Sequence, residues 1–240
     1  MSPREILAVR YGTLRATKGE LFHASDSDEP QALDYFFWVL RYDDATVLVD
    51  TGFDPAVAAR RGRDCLCPPV EALRRLGIES VDRVVMTHFH YDHVGNLPAF
   101  ADAELLVPAR ELAFWTSEAG RDPRFAGHVE AAEVEWIAAS GPRTYEGGDE
   151  VAPGVTALAL PGHTPGQMGL VTGGVVIASD AVHFYEELEQ RRPFWVFTDL
   201  PAMRASYEVL AATGGTIVPG HDPLVMERFP AAGENAVRVG

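Results

Sequence analysis

Residues 81–93 read VDRVVMTHFHYDH, and the order of chemistry along them decides the architecture. The apolar run Val84-Val85-Met86 reads as a strand covered on both faces. It passes directly into His88, His90, Asp92 and His93. In an extended segment residues two apart point the same way, so His88 and His90 can grip one ion together. A sharp turn after His90 would let Asp92 and His93 address a second ion. Four ligands within six residues cannot close on one small tetrahedral ion without strain, so two adjacent metals is the natural reading. A row of satisfied surface histidines is the competing reading, and the fixed spacing of three imidazoles and a carboxylate weighs against it.

The same arrangement recurs three times downstream. TALALPG runs into His163, VVIAS into Asp180 and TIVPG into His221. In α/β proteins functional groups gather at the carboxyl ends of strands, where the loops converge on one rim of the sheet. Four such clusters predict one shared site. Taken singly, His163 and His221 could be turn residues and Asp180 a helix cap. Together they offer an imidazole for each metal and a carboxylate to bridge. Asp50, closing the strand TVLVD, is either a turn residue or the acceptor that fixes the ring of a ligand histidine.

Further outward, strand-like runs fall at 6–10, 35–42, 46–50, 81–87, 105–107, 155–160, 170–172, 175–179 and 216–219. Helix-like patterns fall at 69–76, 110–115, 127–139 and 201–212, the last with Met203, Tyr207 and Leu210 on one face. Strands alternating with helices point to an α/β layered fold. Residues 140–151 read as the best loop, though each side alone would be small. No Pro/Gly/Ser-rich linker divides the chain, so residues 1–240 are expected to form a single domain.

Composition excludes several partners. With 20 basic and 35 acidic side chains the formal charge is −15, and Lys18 is the only lysine. Such a chain repels phosphate backbones and anionic membranes, so neither nucleic acid nor membrane is an expected partner. No apolar run is long enough to span a bilayer, and the N-terminus lacks the pattern of a signal peptide. Cys65 and Cys67 are too close for an ordinary disulfide and have the wrong spacing for a redox or zinc pair. They read as free thiols, and the location as cytoplasmic.

THFHYDH, the His in PGHTPG, the Asp after an apolar strand and the late PGH resemble the metallo-β-lactamase superfamily of hydrolases. The resemblance runs from about residue 46 to 222 and implies an αββα sandwich carrying two metal ions, usually zinc. His88, His90 and His163 would bind the first ion. Asp92, His93 and His221 would bind the second, and Asp180 would bridge. The same donor set accepts iron or manganese. True β-lactamases of the superfamily commonly have a cysteine where Asp180 stands, and its nucleases add basic regions that this chain lacks.

Within the superfamily SDAVHFY is similar to the bridging Asp and aromatic segment of N-acyl homoserine lactonases. Many of those place a tyrosine three residues after the Asp; here that position is His183, and Tyr185 comes two later. The resemblance implies that a metal-bridging hydroxide attacks the carbonyl of a lactone or related ester. Asp92 is counted with the catalytic group. His183 and Tyr185 are candidates to protonate the departing alkoxide. Phe184, Phe194, Trp195 and Phe197 are candidates to wall an acyl pocket.

A thioester hydrolase resembling glyoxalase II, or a biosynthetic thioesterase, is the second reading. Glyoxalase II usually carries a basic helical segment after the metal domain, and only 19 residues follow His221 here, with Arg228 and Arg238 as their basic members. A non-catalytic metal-binding module is the third reading, and it would be favoured by a missing ligand. The expected partner is a small ester, lactone or thioester. A homodimer is compatible with the sequence.

Overall fold

The structure, a computed structural model, describes residues 2–240. Its strands in chain order are β1 (Glu5–Thr17), β2 (Pro30–Arg41), β3 (Thr46–Val49), β4 (Asp64–Cys65), β5 (Arg83–Val85), β6 (Glu104–Pro108) and β7 (Arg143–Tyr145). They continue with β8 (Glu150–Ala152), β9 (Val155–Ala159), β10 (Met168–Thr172), β11 (Val175–Ser179), β12 (Thr216–Pro219), β13 (Ala231–Gly233) and β14 (Ala236–Arg238). Nine of them form one sheet in the order β13-β14-β1-β2-β3-β5-β6-β7, with β4 beside β1. Five form a second sheet in the order β12-β11-β10-β9-β8.

The period-two alternation of side chains explains why β2 reads as an unbroken apolar run. Phe36, Trp38 and Leu40 turn to one face and pack with Val151, Val155, Leu170 and Ile177 of the other sheet. Tyr35, Phe37 and Val39 turn to the opposite face and join the helix-covered cluster. The alternation repeats in β11, where Val175 and Ile177 face the first sheet while Val176 and Ala178 face the helix at Leu200–Ala212. Both faces of both sheets are thus covered, which makes the architecture an αββα sandwich. Trp38 is wholly enclosed between the sheets, where truncating so large a side chain costs on the order of 3–5 kcal/mol.

Several element boundaries differ from the sequence reading. β1 runs on to Thr17 because its register slips between Arg10 and Gly12, which breaks the alternation while the pairing with β2 continues. β2 correspondingly begins at Pro30 rather than Tyr35. The helix expected over 127–139 is two: Pro123–Ala126, capped by the Asp122 carboxylate, and Ala131–Ser140, closed by Gly141 in the left-handed region. The expected loop at 140–151 contains β7, which extends the first sheet by pairing parallel with β6. No helix among the described residues is long and apolar enough to cross a membrane.

Strand direction places the chemistry. β3, β5 and β6 are parallel, and in the second sheet β9 and β11 share one direction, with β12 parallel to β11. The residues that leave β3, β5, β9, β11 and β12 at their carboxyl ends are Asp50, His88–His93, His163, Asp180 and His221.

Candidate metal centre

The structure brings seven of the predicted side chains into two adjoining groups. His88, His90, His163 and Asp180 form one, and Asp92, His93, His221 and Asp180 form the other. Within each group the potential ligand atoms lie within 4.8 Å of one another, and all seven residues are buried. Asp180 belongs to both. Its Oδ2 lies 3.1 Å from His221 Nε2, 3.4 Å from His163 Nε2 and 3.8 Å from His88 Nε2, while its Oδ1 lies 3.3 Å from His93 Nε2. The turn expected after His90 is the short helix Tyr91–Val94, which swings Asp92 and His93 away from the first pair.

Hydrogen bonds fix which nitrogen faces inward for four of the five rings. His163 Nδ1 lies 2.9 Å from the Val196 carbonyl and His221 Nδ1 lies 2.7 Å from the Asp34 carbonyl. A carbonyl only accepts, so both Nδ1 atoms donate and both Nε2 atoms present a lone pair. His93 Nδ1 donates in the same way to Asp50 Oδ2 at 2.8 Å. Asp50 also accepts the Thr87 N–H and hydroxyl, each at 2.8 Å. The single hydroxyl proton of Thr87 being engaged there, its oxygen is left to accept from His88 Nδ1 at 3.1 Å. Asp50 is the ring-fixing acceptor rather than a simple turn residue.

The backbone beneath this network is strained at two strand ends. Asp50 and Ser179 are non-glycine residues at φ 61° and 47°, a conformation that costs about 1–3 kcal/mol each. Thr87 Oγ1 lies 2.9 Å from Ser179 Oγ, so the two strained corners, one from each sheet, meet at one threonine. Two glycines let the other loops close in. A Cβ on Gly162, at φ +137°, would lie 2.2 Å from the Met203 nitrogen, and one on Gly220 would lie 2.6 Å from Asp180 Oδ1. Only a bare backbone fits at either position.

The donor chemistry fits divalent cations. His88 Nε2, His93 Nε2 and Asp180 Oδ1 are buried and have no hydrogen-bond partner among the described residues. Leaving such groups unsatisfied costs about 1–3 kcal/mol each, and more for charged ones, unless a cation takes them up. Burial holds the His88, His90 and His163 imidazoles well below their usual pKa, which favours the neutral form a metal needs. For His93 burial acts in the same direction, but the carboxylates of Asp180, Asp50 and Asp92 outweigh it and raise the ring well above normal. Burial alone would raise Asp180, yet His221, His93 and His183 hold it well below the usual carboxylate range.

A cavity of about 310 Å³ opens onto both groups. His183 lines it, stacked on Phe194 with centroids 3.7 Å apart and rings 16° from parallel. Its Nε2 is 3.3 Å from Asp180 Oδ2 and its Nδ1 is 3.4 Å from Glu187 Oε1. Neither approach is aligned as a hydrogen bond, so both ring nitrogens lack a partner. Against the lowering effect of burial, these two carboxylates push the ring up to about 9. Phe194 and Trp195 line the cavity, and Trp195 is 52% exposed.

Three other expectations are corrected. Tyr185 does not reach the cavity: it opens the helix Tyr185–Gln190, and its ring lies under the Arg228 guanidinium at 3.7 Å. Phe184 is buried against Phe22 in the core, and Phe197 packs edge-on to His23. Neither is among the cavity-lining side chains.

Residues with no sequence signal complete the site. Glu111 is fully buried; it accepts the N–H of Phe89, between His88 and His90, and the N–H of Gly166, three residues after His163. It also accepts from the Trp115 indole at 2.7 Å. One carboxylate therefore ties the two loops together. Glu187 does the same for the other rim, accepting the N–H groups of His183, Phe184 and Phe194 and the Tyr207 hydroxyl.

Comparison with known proteins agrees with this geometry. Residues 32–222 match the Metallo-beta-lactamase superfamily. An N-acyl homoserine lactonase of Bacillus sp. is 29% identical over 219 residues, covering 80% of this chain and 83% of that protein. The Metallo-beta-lactamase domain-containing protein 1 of Xenopus laevis is 28% identical over 229 residues, covering 92% and 81%. Among solved structures, an N-acyl homoserine lactone hydrolase holding N-hexanoyl-L-homoserine at its catalytic metal center superposes with a TM-score of 0.76 at 22% identity. It covers 96% of this chain and 98% of that one. AidC, a dizinc quorum-quenching lactonase, superposes at 0.74 and 16% identity, covering 93% and 90%. At these identities the structural likeness speaks for the fold.

Proposed function

The chain belongs to the metallo-beta-lactamase superfamily, and from that premise we propose that it is a two-metal hydrolase that opens a lactone, of the N-acyl homoserine type or a related ester. The observation that carries the reading is Asp180, one buried carboxylate shared by two groups of inward-facing nitrogens at the floor of an open cavity. His88, His90 and His163 would hold one ion, and Asp92, His93 and His221 the other, with Asp180 on both. Zinc suits the imidazole-rich set, and iron or manganese would also be accepted. Bound there, two divalent ions would polarise the ester carbonyl and make water nucleophilic near neutral pH.

The chain's own residues then have distinct tasks. Asp50, Thr87 and the carbonyls of Val196 and Asp34 hold four of the imidazoles in the tautomer whose Nε2 presents a lone pair inward. Asp92, which lines the cavity, would take a proton from the attacking water. His183 holds a proton beside the site where an alkoxide departs, and Phe194 keeps its ring in place. Phe194 and Trp195 give the acyl chain an apolar wall. The relatives named as N-acyl homoserine lactonases support this substrate over a thioester.

A pH-stat panel tests the reading. Zinc-loaded protein is expected to release acid from N-hexanoyl homoserine lactone at least about tenfold faster, in kcat/KM, than it cleaves S-lactoylglutathione, a gap of about 1.4 kcal/mol. The reverse ranking would reject the lactonase reading in favour of a thioesterase.

A further inference from the structure

The cavity is lined by two arginines, Arg15 and Arg63, and among the described residues neither forms an ion pair with any Asp or Glu. The neighbouring Arg60 and Arg61, by contrast, are both paired with Glu130. We propose that Arg63, assisted by Arg15, forms a subsite for an anionic group, specifically a carboxylate carried by the substrate at the end remote from the bond that is cut. The inference rests on the reading of this cavity as the substrate site, and it narrows the substrate class to acidic esters or lactones.

The position of Arg63 is built rather than incidental. Its Nε donates to the Tyr91 hydroxyl at 3.0 Å and its Nη1 to the Arg61 carbonyl at 2.8 Å. These two bonds use two of its five N–H groups and fix the plane of the guanidinium. The Nη1/Nη2 edge keeps three donors, enough to meet both oxygens of a carboxylate. The Tyr91 hydroxyl is in turn 3.4 Å from the Tyr35 hydroxyl, and the Tyr35 ring meets the His221 ring edge-on at 5.2 Å. Arg63 therefore stands two side chains away from the second metal-facing group, along one wall of a single cavity.

Arg15 lies farther out on β1, opposite Ala32 of β2, and is exposed. The acidic residue of this rim, Glu20, is turned back on Thr17, accepting its N–H at 2.8 Å and its hydroxyl at 3.0 Å. Glu20 is thus turned away from the two cations, and Asp92, which lines the same cavity, acts on Arg63 electrostatically without forming an ion pair with it. A neutral acyl chain would leave the free donors of the half-buried Arg63 guanidinium without an acceptor. A carboxylate would supply it.

Binding of γ-lactam analogues, which share the acyl chains but resist ring opening, separates this subsite from turnover. We compare N-hexanoyl and N-(5-carboxypentanoyl) homoserine lactam by calorimetry on the zinc-loaded protein. The charged ligand is expected to bind about tenfold more tightly, with the advantage shrinking as salt rises. Arg63→Met should reduce the ratio to within about twofold, Arg63→Lys should retain part of it, and Arg15→Met should lower it by a few-fold. Equal affinities for the two ligands, no measurable binding of either, or a ratio that survives Arg63→Met would overturn the subsite. Turnover of the neutral lactone is measured alongside. Its absence with the lactam ratio intact would reject the lactonase reading and leave the subsite standing.

Discussion

Asp180→Asn is expected to lower kcat/KM for lactone opening by at least about 10³-fold and to leave fewer than two ions bound per chain. The substitution keeps the volume of the side chain and removes its charge. In the native protein one carboxylate faces His221 and His163 with Oδ2 and His93 with Oδ1. An amide can present only one oxygen as acceptor, and its NH₂ would point a donor at whichever ion it faced. Both groups lose an anionic ligand at once, so the two ions should weaken together rather than one at a time. The fold itself rests on the packed faces of the two sheets, so far-ultraviolet circular dichroism should stay near native. Elemental analysis and pH-stat rates on the same preparation check the outcome. A variant that keeps two ions and near-native turnover would show that Asp180 does not bridge.

His183→Ala should lower kcat for a lactone by about 10²- to 10³-fold while leaving KM within a few-fold, because an alkoxide is a poor leaving group without a proton. The same variant should cut turnover of 4-nitrophenyl hexanoate far less, since 4-nitrophenolate departs unprotonated. The split between leaving groups separates a proton donor from a ring that only fills space. If His183 merely supported Phe194, whose ring it covers at 3.7 Å, both substrates would decline alike. Equal losses would therefore remove His183 from the chemistry, and unchanged lactone turnover would do so outright.

The parts of the site that were legible in the sequence share one cause. Metal chemistry constrains residue type and spacing over a few positions, and strand ends are marked by the apolar runs before them. His88, His90, Asp92, His93, His163, Asp180 and His221 carry that mark, and the structure gathers them into two adjoining groups. Asp50 was legible for the same reason, as a carboxylate closing a buried strand.

Glu111 and Arg63 carry no such mark. Each owes its position to contacts between distant segments: Glu111 to loops 22 and 55 residues away, Arg63 to a tyrosine 28 residues on. Nothing local distinguishes them from the other acidic and basic residues. Tyr185 shows the complementary difficulty. It lies two residues from His183, but the chain enters a helix at Tyr185, and the ring turns under Arg228 instead of into the cavity.

The fold class followed from strands alternating with helices, and the structure buries both faces of β2 and β11, whose apolar runs are unbroken. Strand lengths were less legible. β1 and β2 both extend beyond their apolar centres, because backbone pairing continues through a register slip that the side-chain pattern does not show.

The central claim is that two ions, held jointly through Asp180, open a lactone. Its most direct test is to strip the protein with chelator and follow N-hexanoyl homoserine lactone opening as zinc is restored. The rate is predicted to rise until two equivalents per chain are bound and to stay flat beyond them. Full turnover at one equivalent, or turnover in the stripped protein before any metal is added, would contradict it.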